Sequence, residues 1–346
     1  MKALVKYGLT DGAVEVRDVP DPVLGAGQVL VAARAVGVCG SDIHMWRNHQ
    51  SWEVAIPVVL GHETAGELVA VADDVTGWAV GDRVVCETAA SICGVCALCR
   101  TGRYNLCPAR EGYGAMRDGA FGELLLAEPR VLHRIADNVS FEQAALTEPY
   151  AVAYNAVVER ARVRPGDLVV VQGAGAIGTF ALQTALLEGA GSTVVLGTAI
   201  DEHRLSIARR LGADHTIDVT EVDPATVLAG LGDGLGADLV VDATGVSAAL
   251  RQSLELVRPY GAIVKVGWGP QPLGFSLDPL VAKAVTLYGS FSHTWTTWER
   301  VLASFSSGRI DTSLVLGGVY ELADWVSAFD DMASGRVIKS VMVMPG

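Results

Sequence analysis

Two rhythms of apolar and polar positions divide the chain. Up to about residue 150, short runs such as Val58-Val59-Leu60 and Gly66 to Val71 are broken by Gly, Pro and Asp, the pattern of a mostly β region. After Val163-Arg-Pro-Gly-Asp167 the pattern changes. Strands are expected at Leu168–Gln172, Thr193–Leu196, Ala237–Asp242, Ala262–Gly267 and Val285–Gly289. Helices are expected at Ile177–Glu188, at Glu202–Leu211 with Asp201 as N-cap, and at Ala248–Val257. This alternation predicts an α/β unit, a parallel sheet covered by helices. From Trp295 on, helices at Trp298–Ser306 and Ala323–Ala333 and an apolar strand at Lys339–Met344 are expected. There is no internal repeat and no low-complexity segment.

Leu168 to Leu187 carries no charge and is long enough to span a bilayer. Gly173, Gly175 and Gly178 split it into a β-branched run, a tight turn and a helix, so a buried strand-turn-helix is expected instead.

The 346 residues are enough for two domains with substantial cores, and 50% hydrophobic content fits a globular enzyme. With 39 acidic against 26 basic residues and a net charge of −13, no basic cluster is available to neutralise a run of phosphates. Nucleic acid and anionic membranes are thereby excluded as partners. The first residues lack the apolar core and cleavage site of a secretory signal, and the cysteine usage is metallic, so a cytoplasmic location is expected.

Four of the six cysteines, Cys93, Cys96, Cys99 and Cys107, fall within fifteen residues. Two-residue gaps let neighbouring thiolates converge on one ion, whereas a disulfide between cysteines three apart closes a strained ring. Zinc is the expected occupant, with free thiols or an iron–sulfur site as alternatives. Four sulfur ligands leave no position for water, which makes such a zinc structural.

Gly173-Ala-Gly175-Ala176-Ile177-Gly178 follows a Val-rich strand and opens a helix, the setting in which this spacing binds a dinucleotide pyrophosphate. A glycine-rich structural turn is the bland alternative. The strand end that would meet the ribose reads Leu196-Gly197-Thr198-Ala199-Ile200, with no carboxylate before Asp201 and with Arg204 just beyond. Thr198 and Arg204 suit a 2′-phosphate, Asp201 a 2′-hydroxyl; Asp201 also reads as a helix cap and Arg204 as a solvated residue. The cofactor stays open as NAD or NADP. Gly267, at a later strand end, and Phe291 complete the expected cofactor-contacting set.

Upstream stand Cys39-Gly-Ser41-Asp42-Ile-His44, Gly61-His62-Glu63 and, later, Glu148-Pro149. Singly, each reads more readily as packing than as chemistry. Together they offer a thiolate, an imidazole and one or two carboxylates, enough for a zinc site with an open position. At this point the chain resembles the zinc-dependent medium-chain alcohol dehydrogenase family, most closely its sorbitol and threonine dehydrogenase branch. These motifs, the four-cysteine lobe, the Rossmann glycines and the Gly289-Ser290-Phe291 turn occur in the family's order nearly end to end.

The resemblance implies a GroES-like β-rich catalytic domain from residues 1–153 and 288–346, with the zinc lobe at 93–107, and a Rossmann coenzyme domain at 154–287 inserted between. It implies Cys39, His62 and Glu63 as catalytic zinc ligands, Asp42 as the residue orienting His62, and Ser41 with His44 as proton relay. Glu148, where ethanol-type members carry a second cysteine, binds the zinc, exchanges with Glu63 or holds a water. The implied activity is reversible oxidation of a secondary alcohol of a polyol, cyclitol, sugar or amino alcohol by NAD or NADP, with a small alcohol or ketone as partner and a homodimer or homotetramer as assembly. L-Threonine 3-dehydrogenase is the runner-up, and a zinc-stabilised nucleotide sensor without catalysis the alternative of another class. Trp46, Trp52, Phe291, His293 and Trp295 either line the substrate pocket or pack as core or interface. Cys86, left over, reads as a small buried hydrophobe.

Overall fold

The computed structural model describes residues 1–269 and 271–345. It forms two compact units, one from Met1–Glu148, His293–Ala333 and Lys339 onward, the other from Pro149–Ser292 and Ser334–Ile338. The divisions expected at 153/154 and 287/288 thus fall at 148/149 and 292/293. Local bonds explain the shift: Asn155 Nδ2 donates to Ser290 Oγ and to the Ser292 carbonyl, holding that turn in the second unit. Ser334–Ile338, expected in the first unit, joins the second, where the Val337 carbonyl accepts from Arg204 Nε and Nη2 at 3.2 and 3.0 Å.

The first unit is built on the strand Val29–Gly37. It pairs antiparallel with Glu63–Val71, Lys339–Val343 and Leu124–Ala127, each over part of its length. Buried Val31, Val36, Leu68, Phe121, Phe329 and Met342 form the core beneath. Trp46 belongs to this core, edge-on to Trp325 and Phe329 at 5.3 and 5.8 Å, so of the two sequence readings packing holds for it.

In the second unit six parallel strands lie in the order His215–Asp218, Ser192–Gly197, Leu168–Gln172, Ala237–Asp242, Val257–Lys265 and Thr286–Gly289. Leu168–Gln172 is buried along its whole length because helices cover both faces of a parallel sheet, which is why it reads as an unbroken apolar run. The uncharged stretch from Leu168 divides as expected into this strand, a turn and the helix Ala176–Leu187. Among the described residues no helix is long and apolar enough to cross a membrane.

Candidate metal and dinucleotide sites

Strand register joins the separate motifs. Gly37 stands opposite Glu63 and opposite Val341, and Val38 N donates to the Ser340 carbonyl at 2.9 Å. Cys39, two residues past Gly37, is the N-cap of the helix Gly40–Trp46, and Asp42 in that first turn accepts from Cys39 N at 2.8 Å. Gly61, at φ +91°, makes the turn before His62; a Cβ there would meet the Phe121 ring at 2.7 Å. The outcome is that one ligand atom each of Cys39, His62 and Glu63 lies within 4.8 Å of the others.

These residues fit a metal ion. Glu63 Oε1 accepts from Lys339 Nζ at 2.5 Å, while Oε2 is buried with no hydrogen-bond partner, a costly state for a carboxylate oxygen unless a cation receives it. Room for that oxygen exists because residue 37 has no side chain: a Cβ there would lie 1.9 Å from Oε2. Asp42 Oδ1, buried without a hydrogen-bond partner of its own, faces His62 Nδ1 at 3.8 Å, the side from which a carboxylate orients a ligating histidine. Burial works against a charged His62, but Cys39, Asp42 and Glu148 outweigh it and lift its pKa to about 10, the mark of an anionic cavity that seeks a cation. Burial pushes Glu63 up to about 7 against the pull of Lys339.

Glu148, second residue of the helix Thr147–Tyr154, stands outside this group of three. Its Oε1 faces His293 Nε2 at 3.2 Å. Burial raises its pKa, but the His293 hydrogen bond and the charges of His62 and Lys339 hold it below the ordinary carboxylate range. Ser41 Oγ is buried without a partner, and His44, one helical turn on, is exposed and lies edge-on to Trp52 at 6.4 Å. Burial and His49 lower the His44 pKa.

Lys339 was not anticipated as a site residue. Its signal was a lysine heading an apolar strand, since a charge in that position is buried only if paired. For His293, of the two sequence readings, packing holds: it is buried edge-on to Trp298, and it also bonds Glu148, a contact the sequence does not show.

In the lobe, the four thiol sulfurs also fall within 4.8 Å. The Cys93–Cys99 and Cys93–Cys107 sulfur separations are 4.0 and 3.6 Å, far beyond a disulfide bond of ~2 Å. Tetrahedral zinc with bonds of about 2.3 Å sets its sulfurs about 3.8 Å apart, so the donor set fits zinc. Backbone N–H groups of Cys93, Cys96 and Cys99 donate to sulfurs at 3.4 Å, stabilising thiolate charge. Cys86 is buried and apart from both groups, in keeping with its reading as a small hydrophobe.

In the second unit Gly173 adopts φ +94°, and Gly175 caps the helix that starts at Ala176 and Ile177 with open space where a side chain would stand. A Cβ on Gly178 would lie 1.8 Å from the Gly173 carbonyl, so this turn tolerates only glycine there. The cradle fits a pyrophosphate on the helix N-terminus.

Asp201 stands, as expected, at the N-cap of the helix Glu202–Arg210, but its side chain bonds elsewhere. It makes no side-chain cap of the helix Glu202–Arg210; its Oδ2 accepts from Thr198 N and Oγ1 at 3.0 Å, and Oδ1 from Arg204 Nη1 at 3.2 Å. The short turn Ala199–Asp201 offers Thr198 as a nearer partner than the helix amides. Arg204 is correspondingly held by Asp201 and Val337 rather than solvated. Gly267 packs against backbone, a Cβ there falling 2.1 Å from Gly245 N. Phe291 lies 5.8 Å from Trp268, both partly exposed.

A family profile described as alcohol dehydrogenase GroES-like domain matches residues 25–137, and one described as zinc-binding dehydrogenase matches residues 176–307. The chain is 38% identical to a sorbitol dehydrogenase of Halalkalibacterium halodurans, over 99% of each. It is 33% identical to an L-threonine 3-dehydrogenase of Alteromonas mediterranea, again over 99% of each. The solved alcohol dehydrogenase TADH from Thermus sp. ATN1 superimposes with a TM-score of 0.89 at 29% identity, covering 100% of both chains.

Proposed function

The chain belongs to the zinc-dependent medium-chain dehydrogenase family, and from that premise we propose that it oxidises a secondary alcohol on a polyol, cyclitol, sugar or amino alcohol with NAD or NADP. The observation that carries this reading is the buried Glu63, one of whose oxygens has no partner, within 4.8 Å of the Cys39 and His62 ligand atoms, with Glu148 rather than a second thiolate nearby. Cys39, His62 and Glu63 would hold the catalytic zinc, the lobe cysteines a structural one, and the Gly173–Gly178 turn the dinucleotide. When bound, zinc acidifies a hydroxyl and polarises a carbonyl, and the nicotinamide accepts or returns hydride.

The chain's own groups do the rest. Asp42 faces His62 Nδ1 at 3.8 Å and attracts that side of the ring by charge, the position from which a ligating histidine is oriented. Lys339 holds one oxygen of Glu63 and leaves the other, packed against Gly37, without a hydrogen-bond partner. Ser41 Oγ, lacking an internal partner, takes the alcohol proton and passes it to His44, whose lowered pKa keeps the imidazole neutral and able to accept near neutral pH. A carboxylate at Glu148 suits hydroxyl-rich substrates better than a thiolate because it accepts hydrogen bonds strongly.

Oxidation of threonine at its hydroxyl carbon is the second reading. The 33% identity to an L-threonine 3-dehydrogenase favours it, and half-buried Arg110, which donates to Thr88 Oγ1 at 2.8 Å, is a guanidinium able to pair with a substrate carboxylate. Both oxygens of Asp201 are engaged within the unit, so the test uses both dinucleotides. Initial rates on a polyol panel and on threonine, with NAD and with NADP, decide: the expected result is higher kcat/KM on a polyol or sugar alcohol. Turnover on threonine alone would replace the first reading by the second, and no turnover on any alcohol would overturn both.

A further inference from the structure

We propose that His293, fixed in one tautomer by Trp298, is a positioning residue that holds Glu148 away from the Cys39–His62–Glu63 ligand group and so keeps one coordination position open. The inference rests on the zinc dehydrogenase reading above.

Trp298 Nε1 donates to His293 Nδ1 at 2.5 Å, and His293 Nε2 lies 3.2 Å from Glu148 Oε1. An indole nitrogen donates only, so Nδ1 carries a lone pair and the ring proton sits on Nε2, aimed at the carboxylate. With Nδ1 already accepting and Nε2 already donating, His293 has no nitrogen left to relay a substrate proton. Its remaining role is geometric. The clamp is rigid: His293 and Trp298 are 2% and 0% exposed. The indole also stacks on His133 with centroids 5.4 Å apart and planes 13° from parallel. His133 is held in turn by Glu87 and Glu299 through its two nitrogens, at 3.1 and 2.6 Å.

Glu148 needs such a clamp because its other neighbours pull the opposite way. His62 and Lys339 attract its charge, and an unrestrained glutamate has three torsions with which to swing towards them. A fourth protein ligand would close a tetrahedral site, as four sulfurs close the lobe, and leave no position for substrate. His293 supplies the competing hydrogen bond. Its position just before the helix Trp295–Ser306, capped by Thr294 and Thr297, fixes its spacing to Trp298.

Three variants of the full-length protein test this: His293→Ala, His293→Gln, which keeps a donor near Nε2, and Trp298→Phe, which keeps bulk but loses the N–H. Kinetics are read beside the visible spectrum of the cobalt-substituted protein and the ring nitrogen shifts of labelled histidine. Expected for His293→Ala is a fall in kcat of ~10–100-fold with metal retained and a changed cobalt spectrum. His293→Gln should restore most of both, and Trp298→Phe should give an intermediate loss with a mixed tautomer at His293. Nδ1 found protonated in the wild type would overturn the proposal, as would His293→Ala with wild-type kcat and an unchanged cobalt spectrum. Should the wild type itself oxidise no alcohol, the dehydrogenase reading falls, while the cobalt and nitrogen spectra still decide the clamp.

Discussion

At the residue scale, the site depends on two features that pull against ordinary folding preference: a carboxylate oxygen buried without a partner, and a glycine whose missing side chain makes room for it. Gly37→Ala places a methyl where Glu63 Oε2 stands, and Lys339 ties the other oxygen so that the carboxylate has little freedom to yield. The affinity of the catalytic metal site is expected to fall by at least ~10-fold while the lobe keeps its ion; unchanged affinity by chelator competition would remove Glu63 from the ligand set. Cys86 gives a pH test away from both metal groups. Burial, with Glu87 adding, lifts its pKa from 9.0 to about 12. Between those values the unfolded thiol has lost its proton and the folded one has not, so unfolding releases a proton and stability falls as pH rises through this window. Denaturant melts at a series of alkaline pH values should show Cys86→Ala losing less stability than the parent over that window; parallel losses would contradict the buried neutral thiol.

At the scale of elements, the lobe is a short segment with little core of its own: none of the side chains in its helix Ala97–Arg100 is buried, and that helix is four residues long. An ion must therefore supply the order that packing does not. Cys99→Ser should release one metal ion per chain and lower the melting temperature by about 6–10 °C, equivalent to ~3 kcal/mol. A variant with unchanged melting and metal content would show that the lobe folds without an ion. Much of this level was legible in the sequence, because the signals were local. The cysteine spacing, the glycine turn after a Val-rich run and the alternation of strand and helix each lie within one stretch of chain. What was not legible depends on register between distant strands. Lys339 meets Glu63 only because Val29–Gly37 pairs with both their strands, and His293 meets Glu148 across 145 residues of sequence. Asp201 sits at the N-cap as read, but its side chain is taken for the opposite reason, by a competing partner, Thr198, only three residues away.

At the scale of the whole molecule, a chain with a net charge of −13 gathers thiols and carboxylates in two groups, one buried or half-buried and one running from exposed Cys93 to buried Cys107, each of which a cation would stabilise. One group is closed by four sulfurs; the other has three ligand atoms, with a second carboxylate, Glu148, held back by His293. That asymmetry is what separates a structural ion from a reactive one. It is tested most directly by counting zinc per chain and measuring dinucleotide reduction in the same preparations of wild type and Cys39→Ala. Wild type should bind about two zinc ions per chain and turn over; Cys39→Ala should keep about one, stay folded and lose activity by at least ~100-fold. Cys39→Ala with both ions and wild-type turnover would mean that the chemistry lies elsewhere.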